Sequence, residues 1–191
     1  MAIEDKIKWD KKYKKTPKLL ENRDPSEKLV NIVKKVSDKK ALEIACGSGR
    51  NSIFLAKQGY DVDALDISEV ALETLKNKNI PNINAQLVDL DNYTIAKNSY
   101  DMVVMTNFLD RKIIPQLKDA LKKDGILFIE TYMEDKENEK KDANPNFLLK
   151  KGELKAFFDV GFEILNYDEF FNETYELYRM KKQSICVKKI I

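Results

Sequence analysis

The 191-residue sequence predicts a doubly wound α/β fold, and three observations carry that prediction. Residues 41–51, ALEIACGSGRN, run from an apolar strand pattern through a cysteine and two glycines directly into a helical pattern. From Lys40 onward, short apolar runs alternate with amphipathic helical stretches, which is how a parallel sheet with crossover helices is written. The last two apolar runs, 162–170 and 183–190, follow one another with no helix between them. They are expected to pair as an antiparallel hairpin.

Each element follows from its residues. Residues 4–14, EDKIKWDKKYK, form a short helix whose Trp9 and Tyr13, four positions apart, share a face. Thr16 and Pro17 break it. A second helix follows Asp24-Pro25-Ser26, with proline in its first turn and a stripe of Leu29, Val30, Ile32, Val33 and Val36. Strand one covers 41–45, a helix 51–57 ends at Gly59, and strand two covers 60–65 and closes at Asp66. Ser68 caps a helix reaching 77, with acids early and lysines late, as the helix dipole prefers. Strands at 81–88 and 100–105, a helix at 113–122, and a strand at 126–131 follow. The charged run 134–142, EDKENEKKD, is expected to be a mobile solvated loop or a lid at the carboxyl edge of that strand. A helix at 151–159 precedes the hairpin. The organisation expected is an N-terminal helical extension, 1–38, on a domain spanning 39–191, compact as a whole.

Composition narrows the function. Acids and bases nearly cancel at a net charge of +2, which argues against an obligate nucleic-acid binder. Residues 1–40 carry 13 basic against 7 acidic side chains, but lysine supplies most of them, and dispersed lysine is usually a solvated face. The chain has no histidine, so no Ser-His-Asp triad, Cys-His pair or His-based metal site can exist, and no metal is expected. Two cysteines, Cys46 and Cys186, show no metal-ligand spacing, and no apolar run nears the roughly 20 residues of a membrane span. With no signal-peptide pattern at the N-terminus, a reduced cytoplasmic protein with no membrane partner is expected.

The glycine turn is the chemical centre. Gly47 and Gly49 permit a sharp turn and leave no side chain between backbone and ligand, while the N–H groups of the next helix open onto the same space. A dinucleotide fingerprint would place glycine or alanine where Ser52 stands. Glu43 lies inside the preceding strand, and Asp66 ends the next one, 19 positions after Gly47. This pattern resembles motif I of the class I S-adenosylmethionine-dependent methyltransferases, with Ala45 in place of the family's first glycine. GSGRN, GYDVDALDIS, the FLDR segment and NPNFLLKKGEL at 144–154 resemble more closely the tellurite-resistance-like and thiopurine-type small-molecule methyltransferases.

The resemblance implies a Rossmann-like seven-stranded sheet, mostly parallel with an antiparallel C-terminal hairpin, and S-adenosyl-L-methionine as cofactor. On its residues, Ala45, Cys46, Gly47, Gly49, Arg50 and Asn51 surround the methionine part, and Glu43 orients its amino group. Asp66 accepts the ribose hydroxyls with both oxygens, Ile67 and Leu90 pack on the adenine, and Asp89 reads its amino group. Asn107 lies under the methyl end. Trp9 and Tyr13, in the pattern W-D-x-x-Y, resemble a lid over the substrate, and equally suit a simple anchor. Asp66 and Asp89 could instead merely cap the turns that follow. If the acceptor arrives protonated, Asp110, Glu130 and Tyr132 are candidate bases, with Asp110 first, although many relatives carry histidine at its place. Arg111 could pair with an anionic acceptor or with a neighbouring carboxylate.

The expected activity is methyl transfer by in-line displacement to a small-molecule acceptor, with no nucleic-acid partner. Two alternatives stand beside it: a non-catalytic S-adenosylmethionine-binding or partner-subunit protein, and a nicotinamide-dependent oxidoreductase. The latter draws on Tyr93-x-x-x-Lys97, Tyr132-x-x-x-Lys136 and Tyr178-x-x-x-Lys182, matches that a lysine-rich chain produces by chance.

Overall fold

The computed structural model describes residues 2–34, 39–172 and 176–191. Val36, expected in the second helix, lies outside them. The chain falls into two compact units, 1–96 and 97–191.

The first unit opens with α1 (Ala2–Lys15), a 3-10 turn (Pro17–Leu20) and α2 (Glu27–Ile32). Ser26 caps α2 by accepting from Leu29 N–H, so Pro25 stands one residue before the cap and not in the first turn. Leu29 is fully buried, whereas Val30 is exposed, so the apolar stripe is narrower than the pattern implied. Then come β1 (Lys39–Ile44), α3 (Arg50–Lys57), β2 (Tyr60–Asp66), α4 (Glu69–Lys76) and β3 (Ile83–Leu87). The three strands are parallel, in the order β3-β2-β1. Parallel pairing puts the loops after β1 and β2 at the same, carboxyl edge of the sheet.

The second unit contains β4 (Tyr100–Thr106), α5 (Ile114–Ala120), β5 (Leu121–Tyr132), a 3-10 turn (Pro145–Phe147), α6 (Glu153–Ala156), β6 (Phe162–Phe171) and β7 (Lys181–Lys189). β4 and β5 are parallel, and β7 pairs antiparallel with both β5 and β6, which gives the expected hairpin. The helix expected to reach residue 122 ends at Ala120, because Leu121 already pairs with Tyr100 in the sheet. A bulge then carries Lys122 to Gly125 past the ladder before Ile126 joins Met102. The helix expected at 151–159 is only four residues long, entered through Gly152 at φ +70°.

The charged run 134–142 is pinned. Asn138, 4 % exposed, donates to Met133 O and accepts from Lys181 N–H, while Glu139 N–H donates to Arg179 O. Asp135 accepts from Glu137 N–H and pairs with Lys181 at 3.0 Å. Most of the run is exposed, as a solvated loop should be, and these contacts fasten it at Asp135, Asn138 and Glu139. No described helix is long and apolar enough to cross a membrane.

Candidate functional site

The turn after β1 concentrates left-handed backbone: Ala45 at φ +50°, Gly47 at +56° and Gly49 at +80°. Ala45 therefore adopts, at a steric cost, the conformation for which glycine is the natural residue. Cys46 N–H donates to Leu65 O, and Gly49 N–H returns to Cys46 O at 2.9 Å. A Cβ on Gly49 would run into the Leu75 side chain on α4, and its φ of +80° disfavours any other residue, so glycine suits both the turn and its packing.

Asp66 organises the site. Its Oδ2 accepts from Gly47 N–H at 2.7 Å and its Oδ1 from Ser68 N–H at 2.8 Å, so one carboxylate ties the glycine turn to the start of α4. Burial to 8 % exposure pushes its pKa up, and the N–H groups of Ser68, Gly47 and Ile67 oppose that shift. Two strand-end backbones thus hold a carboxylate at the carboxyl edge, where open α/β sheets bind ligands.

Glu43 is 1 % exposed and accepts from Asn51 Nδ2 at 2.9 Å and from Ser52 Oγ. Burial pushes its pKa up to about 7 against the pull of those two bonds and of the Arg50 charge. Asn51 Oδ1 accepts from Ser26 N–H, and Arg50 Nη1 donates to Asp24 O. Glu43, Arg50 and Asn51 therefore bind β1, α3 and the entry to α2 together. Cys46 is buried and its thiol is pushed up by burial and by the Asp66 and Glu43 charges.

Helix α1 lies over this turn. The Tyr13 hydroxyl is 3.1 Å from where a Gly47 Cβ would stand, and burial with the nearby Asp66 charge pushes the phenol up. Trp9 packs on Tyr13 with ring centroids 5.8 Å apart, and Lys12 stands 4.3 Å over the indole. The fastening residue is Asp10, which the sequence did not reveal. Its Oδ1 accepts from Ser68 Oγ at 2.6 Å and Val70 N–H at 3.3 Å, at the N-terminus of α4, and Lys6 bridges Asp10 and Glu69. Only its place between the two aromatics of W-D-x-x-Y distinguishes it in the sequence.

Val88 N–H donates to Asp66 O, which sets Asp89 and Leu90, both half-buried, just past β3 beside β2's end. The Asp89 carboxylate accepts from Asp91 N–H and Asn92 Nδ2, so it shapes its own turn.

In the second unit, Asn107 follows β4 at φ +55° and donates its N–H to Glu130 O. Asp110 accepts from Lys112 N–H in an Asx turn. Arg111 spends its guanidinium on Glu153 and on the carbonyls of Asn146 and Leu148, a strut that fixes residues 146–153. Tyr132 Oη donates to Glu176 Oε2 at 2.9 Å. The buried ammonium of Lys182 lies 3.2 Å from Glu130 and 3.0 Å from Glu176. Glu176 was not singled out in the sequence, and Lys182 figured there only in the chance Tyr178-x-x-x-Lys182 match. None of the three Tyr-x-x-x-Lys matches lies on a helix, where such a spacing would bring the pair together.

The family model for the tellurite resistance protein TehB matches residues 1–189. The chain belongs to the TehB family. Over 101 residues, 49 % of this chain and 35 % of the relative, it is 36 % identical to a Haemophilus influenzae protein named probable S-adenosyl-L-methionine-dependent methyltransferase TehB. It is 29 % identical over 132 residues to the ribosomal protein L11 methyltransferase of Campylobacter lari, covering 66 % of this chain and 48 % of that one. The crystal structure of Haemophilus influenzae TehB superimposes with a TM-score of 0.73 at 27 % identity, over 86 % of this chain and 62 % of that one. The chain thus spans from about a third to under two thirds of these relatives' lengths. The predicted seven-stranded Rossmann-like α/β fold is the fold of this TehB-family chain.

Proposed function

We propose that the chain is an S-adenosyl-L-methionine-dependent methyltransferase acting on a small-molecule acceptor. The observation that carries the reading is Asp66, a buried strand-end carboxylate fixed by Gly47 and Ser68 N–H groups beside a turn with three left-handed residues.

The residues present fit this cofactor. Asp66 would accept from the ribose hydroxyls, because a carboxylate keeps lone pairs beyond those its backbone donors occupy. Gly47 has no Cβ, the Tyr13 hydroxyl fills the space one would take, and Trp9 packs on Tyr13, so on this reading the two rings border the cofactor at the edge of the turn. Ile67 and Leu90 offer apolar surface for the adenine, and Asp89 a carboxylate for its amino group. Glu43, with both oxygens engaged by Asn51 and Ser52, acts by fixing the start of α3. Asn107 is expected at the methyl end. When bound, S-adenosyl-L-methionine supplies a methyl group made electrophilic by its sulfonium. Since displacement at such a carbon depends chiefly on positioning and exclusion of water, the cover formed by α1 fits the chemistry. Asp110 and Tyr132 remain the candidate proton acceptors. A near-neutral net charge supports a small acceptor over nucleic acid, and the two thiols without metal spacing support a cytoplasmic protein.

A thermal-shift comparison tests the reading. Stabilisation by S-adenosyl-L-methionine and not by NAD is expected. Stabilisation by NAD alone would return the oxidoreductase, and S-adenosyl-L-methionine binding without turnover of any acceptor would favour the non-catalytic protein.

A further inference from the structure

The contacts around Asp66 close on themselves through α1. Asp10 Oδ1 accepts from the Ser68 hydroxyl at 2.6 Å, and Ser68 N–H donates to Asp66 Oδ1 at 2.8 Å, so one serine gives a donor to each of two carboxylates. Asp66 Oδ2 in turn takes the Gly47 N–H at 2.7 Å. The Tyr13 hydroxyl, three positions beyond Asp10 on α1, lies against Gly47, 3.1 Å from the point that a Cβ there would occupy. Positions three and four apart share a helix face, so Lys6, Asp10 and Tyr13 stand on one side of α1. Asp66 and Gly47, on which the cofactor reading rests, thus stand between the two attachments of that helix.

Asp10 also decides how Ser68 sits. A hydroxyl has one proton, and with that proton given to Asp10 the Oγ lone pairs are left for Ala71 N–H, the capping bond of α4, at 3.2 Å. Held from both sides, Ser68 keeps its own N–H aimed at Asp66. Burial works against a charge on Asp10, yet the Lys6 ammonium at 2.8 Å, the Ser68 hydroxyl and the Val70 N–H together hold its carboxyl below the ordinary aspartate range. The bond to Ser68 is therefore charge-assisted, the stronger kind.

We propose that Asp10 is a positioning residue of the cofactor site: acting through Ser68 on Asp66 while keeping Tyr13 on the glycine turn, it couples docking of α1 to cofactor affinity, an inference that rests on the methyltransferase reading. Coupling of this kind is reciprocal. Whatever factor docking of α1 adds to cofactor affinity, the bound cofactor adds to docking of α1. A helix that only packs against the domain has neither effect, and its local opening is indifferent to the ligand.

The test combines two readouts on the full chain, calorimetric titration with S-adenosylhomocysteine and tryptic cleavage at the exposed Lys8 and Lys11 of α1, for the wild type and the D10A and D10N variants. D10A is expected to lose about tenfold in S-adenosylhomocysteine affinity, and D10N, which keeps an oxygen for Ser68 but not the charge, about threefold. S-adenosylhomocysteine should slow cleavage of α1 several-fold in the wild type and less in D10A. D10N keeps the test valid if D10A fails to fold. Affinity for S-adenosylhomocysteine unmoved in every folded variant, or cleavage of α1 in the wild type unmoved by the ligand, overturns the inference alone. Failure of S-adenosylhomocysteine to bind the wild type overturns the methyltransferase reading and this inference with it.

Discussion

In the first unit, Asp66 and Glu43 are held by backbone N–H groups and by the neutral side chains of Asn51 and Ser52. In the second, Glu130 and Glu176 converge on the ammonium of Lys182. The first arrangement leaves a carboxylate with acceptor capacity to offer a neutral ligand, and its geometry is fixed by the chain itself. The second depends on charge balance among side chains, so removing one member exposes the others to burial without compensation. Carboxylates with the same chemistry are thus held in two ways, by fixed neutral donors in one place and by a shared ammonium in the other.

Four substitutions would break or sharpen that contrast. Lys182→Met removes the cation between two buried carboxylates and should cost about 3–5 kcal/mol in urea denaturation; a loss under about 1 kcal/mol would mean that the cluster is not ionically held.

Glu43 should reveal itself through pH. Its folded pKa of about 7 lies above the ordinary glutamate range, so the folded chain retains a proton that the unfolded chain releases, and stability falls as pH rises through that window. The fall approaches about 3 kcal/mol, and the chain has no histidine to mask it. Glu43→Gln keeps partners for Asn51 and Ser52 and should flatten the slope, read as urea midpoints at pH 4.5, 6 and 8. A slope identical in the variant would remove Glu43 as its source.

Gly49→Ala should cost about 2–3 kcal/mol, because its Cβ meets Leu75 and φ is +80°. Full stability would mean that Leu75 moves aside. Ser68→Ala should lose about 1 kcal/mol as the cap on Ala71 N–H disappears. Since Ser68 Oγ also donates to Asp10, limited proteolysis within α1 should quicken; unchanged cleavage would show that the other contacts suffice to hold α1.

What the sequence made legible follows the same division. Strand–turn–helix order, the capping Ser68 and the acid at the end of β2 are local features, and local spacing announces them. Even the departure at Ala45 was visible, although only the structure supplies its meaning, a left-handed residue in which glycine would relax. The partners of Lys182 arise from the register of β7 on β5, with 52 positions between Lys182 and Glu130, so no window of sequence contains them. Asp10 was hidden likewise, since its partners lie on α4 some 58 to 60 positions away. The run at 134–142 is the mostly exposed loop that its composition announces, but the partners of Asp135, Asn138 and Glu139 lie some 40 to 46 positions away at Arg179 and Lys181, where no local window shows them.

Calorimetric titration of the wild type and an Asp66→Ala variant with S-adenosyl-L-methionine and S-adenosylhomocysteine tests the proposed binding of the cofactor by Asp66 and the glycine turn. Saturable binding of both ligands by the wild type, lost in the variant while its fold is retained by circular dichroism, is the predicted result. Absence of binding to the wild type, or equal affinity in a folded variant, would contradict the account.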